Sequence, residues 1–72
     1  MKAIINLTTI SELPCEISSV SEHEVSFKIT KDIATADNLN ALLFMKARIY
    51  EYSTEISVTL ARESVVSIFF VD

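Results

Sequence analysis

The chain contains no glycine in 72 residues, where average usage of about 7% would supply roughly five. Glycine takes positive φ at little steric cost and lets a ligand approach the backbone. Its absence therefore bears on every tight turn and every backbone-built site. Phosphate-cradling loops, dinucleotide fingerprints and anion nests lack their conventional material here. Two-residue hairpin turns lose the Asn-Gly or Asp-Gly solution, so the hairpins are expected to use longer loops, built on type I turns from Asn, Asp and Ser. Function is pushed off the loops and onto the faces of the sheet and helix.

A chain of 72 residues is too short for two cores and reads as one domain over 1–72. Half of it is hydrophobic, with a mean hydropathy of +0.39 and with Ile, Val, Leu and Phe spread along its length, which is unlike a disordered composition. Domains of this size bury only about 60% of the surface of their unfolded chain, so a disulfide, a metal or a second subunit commonly completes their stability. The single Cys15 excludes an intrachain disulfide. With one histidine and no carboxylate pair at ligand spacing, neither a structural metal nor a cofactor is expected. Self-association is the remaining remedy, and a homodimer is expected.

Ten acidic against six basic residues give a net charge of −4, which works against a binder that relies on neutralising phosphates. The acids are scattered, so no tract mimics a nucleic-acid backbone. Residues 1–10 carry one lysine and an apolar run broken by Asn6, Thr8 and Thr9, a pattern too short and too polar for a secretory leader. Glu12 and Pro14 spoil a lipoprotein-type reading of Cys15. No segment approaches the roughly 20 apolar residues of a membrane span, and a lone thiol fits the reducing cytoplasm.

Lys2 to Ile10 is rich in β-branched residues and roughly alternating, which predicts a first strand. Cys15–Val20 and Glu24–Thr30 predict a hairpin in which Val25, Phe27 and Ile29 alternate with Glu24, Ser26, Lys28 and Thr30. Cys15 and Ile17 join its inward face if the loop holds three or five residues. From Ala36 the character changes, with Leu39, Leu42, Leu43 and Ala47 at helical spacing among good helix formers. Asp32 or Thr35 can cap this helix, Asp37 complements its dipole, and Lys46 and Arg48 suit its end. Lys46, however, falls on the stripe of Leu39 and Leu42, while Arg48, Tyr50 and Tyr52 begin an alternation of their own. The helix has a natural stop near Met45, and a strand over Leu42–Ser53 is the competing reading. Ile56, Val58 and Leu60 then alternate with Glu55, Ser57 and Thr59, Arg62-Glu63 turns the chain, and Ser64–Val71 forms the last strand. The expected fold class is α+β, a single small domain of about five mostly antiparallel strands packed on one α-helix (β-β-β-α-β-β). A small all-β barrel is the alternative.

Strict alternation makes the last strand apolar on both faces, with Val65, Phe69 and Val71 on one and Val66, Ile68 and Phe70 on the other. Either this strand is central and covered by residues 1–10 or a loop, or one row is an interface. Phe44 and Met45, off the stripe of Leu39 and Leu43, offer a second patch. The candidate interface is therefore Phe44, Met45, Val65, Val66, Ile68, Phe69, Phe70 and Val71.

Nucleophilic catalysis needs a nucleophile, a base and an orienting group within hydrogen-bond reach, and only Cys15 and His23 could begin such a set. They lie about four strand steps of 3.4 Å apart, with Cys15 facing the core and His23 near a turn. Tyr50 and Tyr52, flanked by Lys46 and Arg48, could form a stacking platform of the kind single-strand binders use. The sequence is read as a non-enzymatic module that binds another protein by surface contact, a small inhibitor or adaptor of phage or mobile-element type, and a homodimer. The alternatives are a weak single-stranded nucleic-acid binder using Lys46, Arg48, Tyr50 and Tyr52, and a thiol-dependent enzyme. No small-molecule ligand and no membrane association are expected.

Overall fold

Period-2 alternation puts one row of each strand into a common core. The computed structural model describes residues 1–71. Strands β1 (Lys2–Leu7), β2 (Leu13–Val20) and β3 (Glu24–Thr30) precede helix α1 (Ala36–Phe44). Strands β4 (Arg48–Glu51), β5 (Glu55–Ala61) and β6 (Val65–Phe70) follow it, with a 3-10 turn at Arg62–Ser64 between β5 and β6. All pairings are antiparallel, and the order across the sheet is β4-β5-β3-β2-β1-β6. The domain is α+β, an open six-stranded sheet with one helix rather than a closed barrel. The strand beyond the expected five is β4, formed where the alternation of Arg48, Tyr50 and Tyr52 competes with helix.

The inward row runs through Ala3, Ile5 and Leu7, Leu13, Val25, Phe27 and Ile29, then Ile56, Val58 and Leu60, all buried. Phe27 sits at the middle, paired to Ile17 on one side and Val58 on the other. Each such side chain contributes about 1.5–3 kcal/mol by leaving water. Among the described residues no polar or charged side chain is buried.

The β2–β3 hairpin closes at Ser21 and Glu24, where the Ser21 N–H donates to the Glu24 carbonyl at 2.8 Å across an even number of intervening residues. Ser21 Oγ accepts from the Glu24 N–H at 3.0 Å, so a serine turn replaces glycine. An even loop alone would set Ile17 against Lys28. A bulge between Ile17 and Ser19 restores parity by pairing Ile17 with Phe27, which turns Cys15 and Ile17 inward.

Curvature follows from a chain-length limit. Flat, the sheet would hold β5 and β6 four strand spacings apart, about 19 Å. The four residue steps from Ala61 to Val65 reach at most about 14 Å even when extended, and part of them is a 3-10 turn. The sheet must therefore curl, bringing the start of β6 toward the end of β5 and wrapping the core. Helix α1 lies against the inner face: Leu42 is fully buried, with Leu39 and Met45 packed beside it. Thr35 is the N-cap, its Oγ1 accepting from the Asn38 N–H at 3.2 Å, and Asp37 lies in the first turn. The core stripe is Leu39, Leu42 and Met45, so Leu43 faces solvent, contrary to the spacing argument. The helix stops before Lys46, which adopts φ 61°, and neither Lys46 nor Arg48 is helical.

Candidate interaction edge at β6

A sheet with two free edges exposes two rows of unpaired backbone groups, and here the two edges differ. At β4 the Tyr52 N–H donates to the Glu55 carbonyl at 2.9 Å. By alternation Tyr50 and Arg48 also bond toward β5, which leaves the backbone of Ile49 and Glu51 facing outward. That edge is only four residues long, and Lys31 Nζ lies 2.9 Å from the Glu51 carboxylate beside it. Short length and fixed charge are the usual protections of an edge.

The β6 edge has neither protection. Val71 N–H donates to the Lys2 carbonyl at 2.9 Å, so Val71, Phe69 and Ser67 bond toward β1, while Ile68 and Phe70 direct their backbone groups away from the sheet. From Ser64 to Val71 no residue carries a charge. Side chains along the strand are exposed, at 73% for Phe69, 67% for Val66 and 50% for Phe70. β6 is thus an edge strand and not a central one, and residues 1–10 pair with it without covering it.

The two faces of β6 differ from strict alternation. A bulge sets Val65 opposite Leu7 and Ser67 opposite Asn6, so Val65 turns into the core with Ile68 and Phe70 on its side. Val65 is buried at 7% exposure and cannot serve an interface, which corrects its grouping with Phe69 and Val71. Met45 is likewise turned inward, its sulfur accepting from Thr8 Oγ1 at 3.3 Å. The second patch is instead Leu43 and Phe44, the latter 81% exposed.

On the outer face Phe69 pairs with Ile4, and Ile4 with Pro14, forming an apolar row that runs inward from the edge. Spacing alone did not single out Ile4 and Pro14, because their row exists only once β1 lies between β2 and β6. Farther across the sheet the outer face is polar, with Ser26 and Thr59 hydroxyls 2.9 Å apart and Lys28 3.5 Å from Glu55. A depression of about 330 Å³ opens beside the apolar row, lined in part by Lys2, Ile4, Pro14, Lys28, Glu55 and Val71.

The remaining sequence candidates are placed apart. Arg48, Tyr50 and Tyr52 follow one another along the outer face of β4, but Arg48 is bonded to Glu24 at 2.6 Å and Lys46 lies in the preceding turn. With Lys31 on Glu51 and Lys28 on Glu55, three of the cations around the tyrosines, Arg48 included, are each paired with a carboxylate, against which a phosphate would have to compete. Cys15 packs against the core, where burial pushes its thiol up to about 11 and keeps it protonated near neutrality. His23 projects from the far end of the hairpin, beside Glu22 at 3.1 Å. No group of three potential metal ligands occurs among the described residues, and no helix among them is long and apolar enough to cross a membrane. Set against protein families, curated proteins and solved structures, the chain matches none.

Proposed function

We propose that this protein is a non-enzymatic binding module that works by strand addition at β6, a small adaptor or inhibitor operating in the cytoplasm. The observation that carries this reading is the contrast between the edges: β4 is short and charged, whereas β6 is uncharged, exposed and continuous with an apolar row on the outer face. An incoming strand would gain main-chain hydrogen bonds from Ile68 and Phe70 and side-chain contact from Phe69, behind which Ile4 and Pro14 continue the apolar row. This combination sets affinity through the backbone and specificity through alternate side chains.

The test separates backbone from side chain. Phe70→Pro removes an outward-facing N–H without touching the ladder to β1, and Phe69→Lys places a charge on the apolar row. Both variants should keep the wild-type circular dichroism spectrum. Tagged wild type should capture a defined set of partners, its own copies included, that both variants lose. Partners retained equally by both variants, or lost only when Leu43 and Phe44 are changed, would refute the assignment of binding to β6.

A further inference from the structure

We infer that the strand added at β6 is the β6 of a second copy, paired antiparallel about a two-fold axis through Phe69; this rests on the reading of β6 as a binding edge. Three features of the strand select both the occupant and the register.

The first is which residues can pair. Only the backbone groups of Ile68 and Phe70 point outward from the regular part of the strand, and in an antiparallel pair such residues must face each other across the new seam. The second is the bulge at Val65 and Val66, which ends regular pairing on one side; the uncharged run past it is residues 67–71. Phe69 is the centre of that segment. A two-fold axis there sets Ile68 against Phe70 of the second copy, twice, in hydrogen-bonded pairs. It also sets Phe69 against Phe69 and Ser67 against Val71 in the closer, non-hydrogen-bonded pairs. An axis at Ile68 would drive Phe70 against the bulged Val66, and an axis at Phe70 would pair only residues 69–71 of the uncharged run.

The third feature is charge. The chain carries a net charge of −4, so copies repel at long range, yet the stretch from Ser64 to Val71 is uncharged and brings no like charges together across the seam. Every pair in this register is apolar except Ser67 with Val71. The central phenylalanines stand as a cross-strand aromatic pair, an arrangement that adds stabilisation beyond burial. The exposed apolar side chains of the seam are Val66, Phe69, Phe70 and Val71. So short a seam belongs with the small interfaces, below about 1,200 Å² in total, that form weak and reversible complexes.

Sedimentation of the wild type over a concentration series should show a reversible monomer–dimer equilibrium, and Phe69→Lys should weaken it by at least about tenfold with an unchanged circular dichroism spectrum. Register is read by cross-linking in a Cys15→Ala background with oxidised glutathione. Non-hydrogen-bonded partners stand about 4.5 Å apart at Cα, inside the disulfide window of about 4.4–6.8 Å. Phe69→Cys should therefore form a covalent dimer. Ser67→Cys mixed with Val71→Cys should do so too, whereas Ser67→Cys alone should not, because its equivalent lies about 13 Å along the strand. A monomeric mass at high micromolar concentration would overturn the inference. So would cross-linking of Ser67→Cys alone as efficient as that of Phe69→Cys, or a dimer dissociated by Phe44→Ser and not by Phe69→Lys. If the protein is monomeric but captures other partners in a manner lost with Phe70→Pro, the second copy is excluded while strand addition at β6 stands.

Discussion

Glycine at position 46 should make this protein more stable than alanine there, and the size of the difference can be worked from the end of α1. Lys46 has φ 61°, and its N–H donates to the Leu43 carbonyl at 2.9 Å while the next N–H, of Ala47, reaches back to the Leu42 carbonyl at 3.0 Å. Those two bonds satisfy carbonyls that the helix end leaves open, and they require the left-handed conformation at the residue between them, where glycine is the usual occupant. A Cβ in that conformation costs about 1–2 kcal/mol. Glycine recovers this but loses about 0.5–1 kcal/mol to the greater freedom of its unfolded chain. The net gain of Lys46→Gly over Lys46→Ala is about 0.5–1 kcal/mol. Alanine is the correct reference because both variants lose the same favourable charge near the helix end. In thermal melts the difference corresponds to about 2–8 °C for a domain of this length. Urea unfolding should show it as a shift in midpoint with unchanged slope. If Lys46→Gly proves no more stable than Lys46→Ala, then the left-handed residue is not strained and the absence of glycine carries no cost at this turn.

Leu42 is the one buried residue of α1, so Leu42→Ala should cost about 2–5 kcal/mol. That is a large share of the roughly 4–11 kcal/mol available to a domain of this length, and chemical denaturation should register it, whereas Phe44→Ser should be nearly silent. The hydrogen bond and charge of Lys31 hold the Glu51 carboxyl below its ordinary range. A depressed folded value contributes stability that is fully present above the unfolded carboxylate pKa and is lost as pH falls through the folded one. An NMR titration should therefore place the Glu51 midpoint lower in the wild type than in Lys31→Gln, and an equal midpoint in the two would refute the assignment.

Legibility in the sequence tracks how many constraints act on a segment at once. β3 was readable to its ends, Glu24 and Thr30, because both of its neighbours bury the same row and nothing competes with the alternation. The helix start was readable from Thr35 and Asp37, which act locally. Its stop was signalled by Lys46 on the apolar stripe, but the choice between helix and strand over residues 46–53 is made by pairing with β5, a contact distant from the segment itself. The two bulges were illegible, since a bulge is defined by a partner strand. They decide which way Cys15, Ile17 and Val65 face. The apolar character of β6 was plain; its position at the edge came from strand order, which periodicity does not carry.

The missing glycines and the open edge have a common consequence. Glycine is the usual material for sharp turns and for bulges that twist an edge out of reach. This chain forms its left-handed turns with Glu12 and Lys46 instead and protects β4 with charge. It therefore has a means of guarding an edge and does not apply it to β6. The apolar edge that stays open past the β6 bulge invites open-ended assembly unless pairing consumes it. Two-fold pairing of β6 with β6 does so: the assembly then ends on two β4 strands, each short and carrying Arg48 and the Lys31–Glu51 pair. A heterologous β6–β4 contact would leave one edge of each kind open and propagate, as non-closing interfaces do. In a dimer paired in this way, the charges at β4 would be what limits the assembly to two copies. Neutralising them together, with Lys31→Gln, Arg48→Gln and Glu51→Gln, should convert a closed dimer into species whose light-scattering mass grows with concentration.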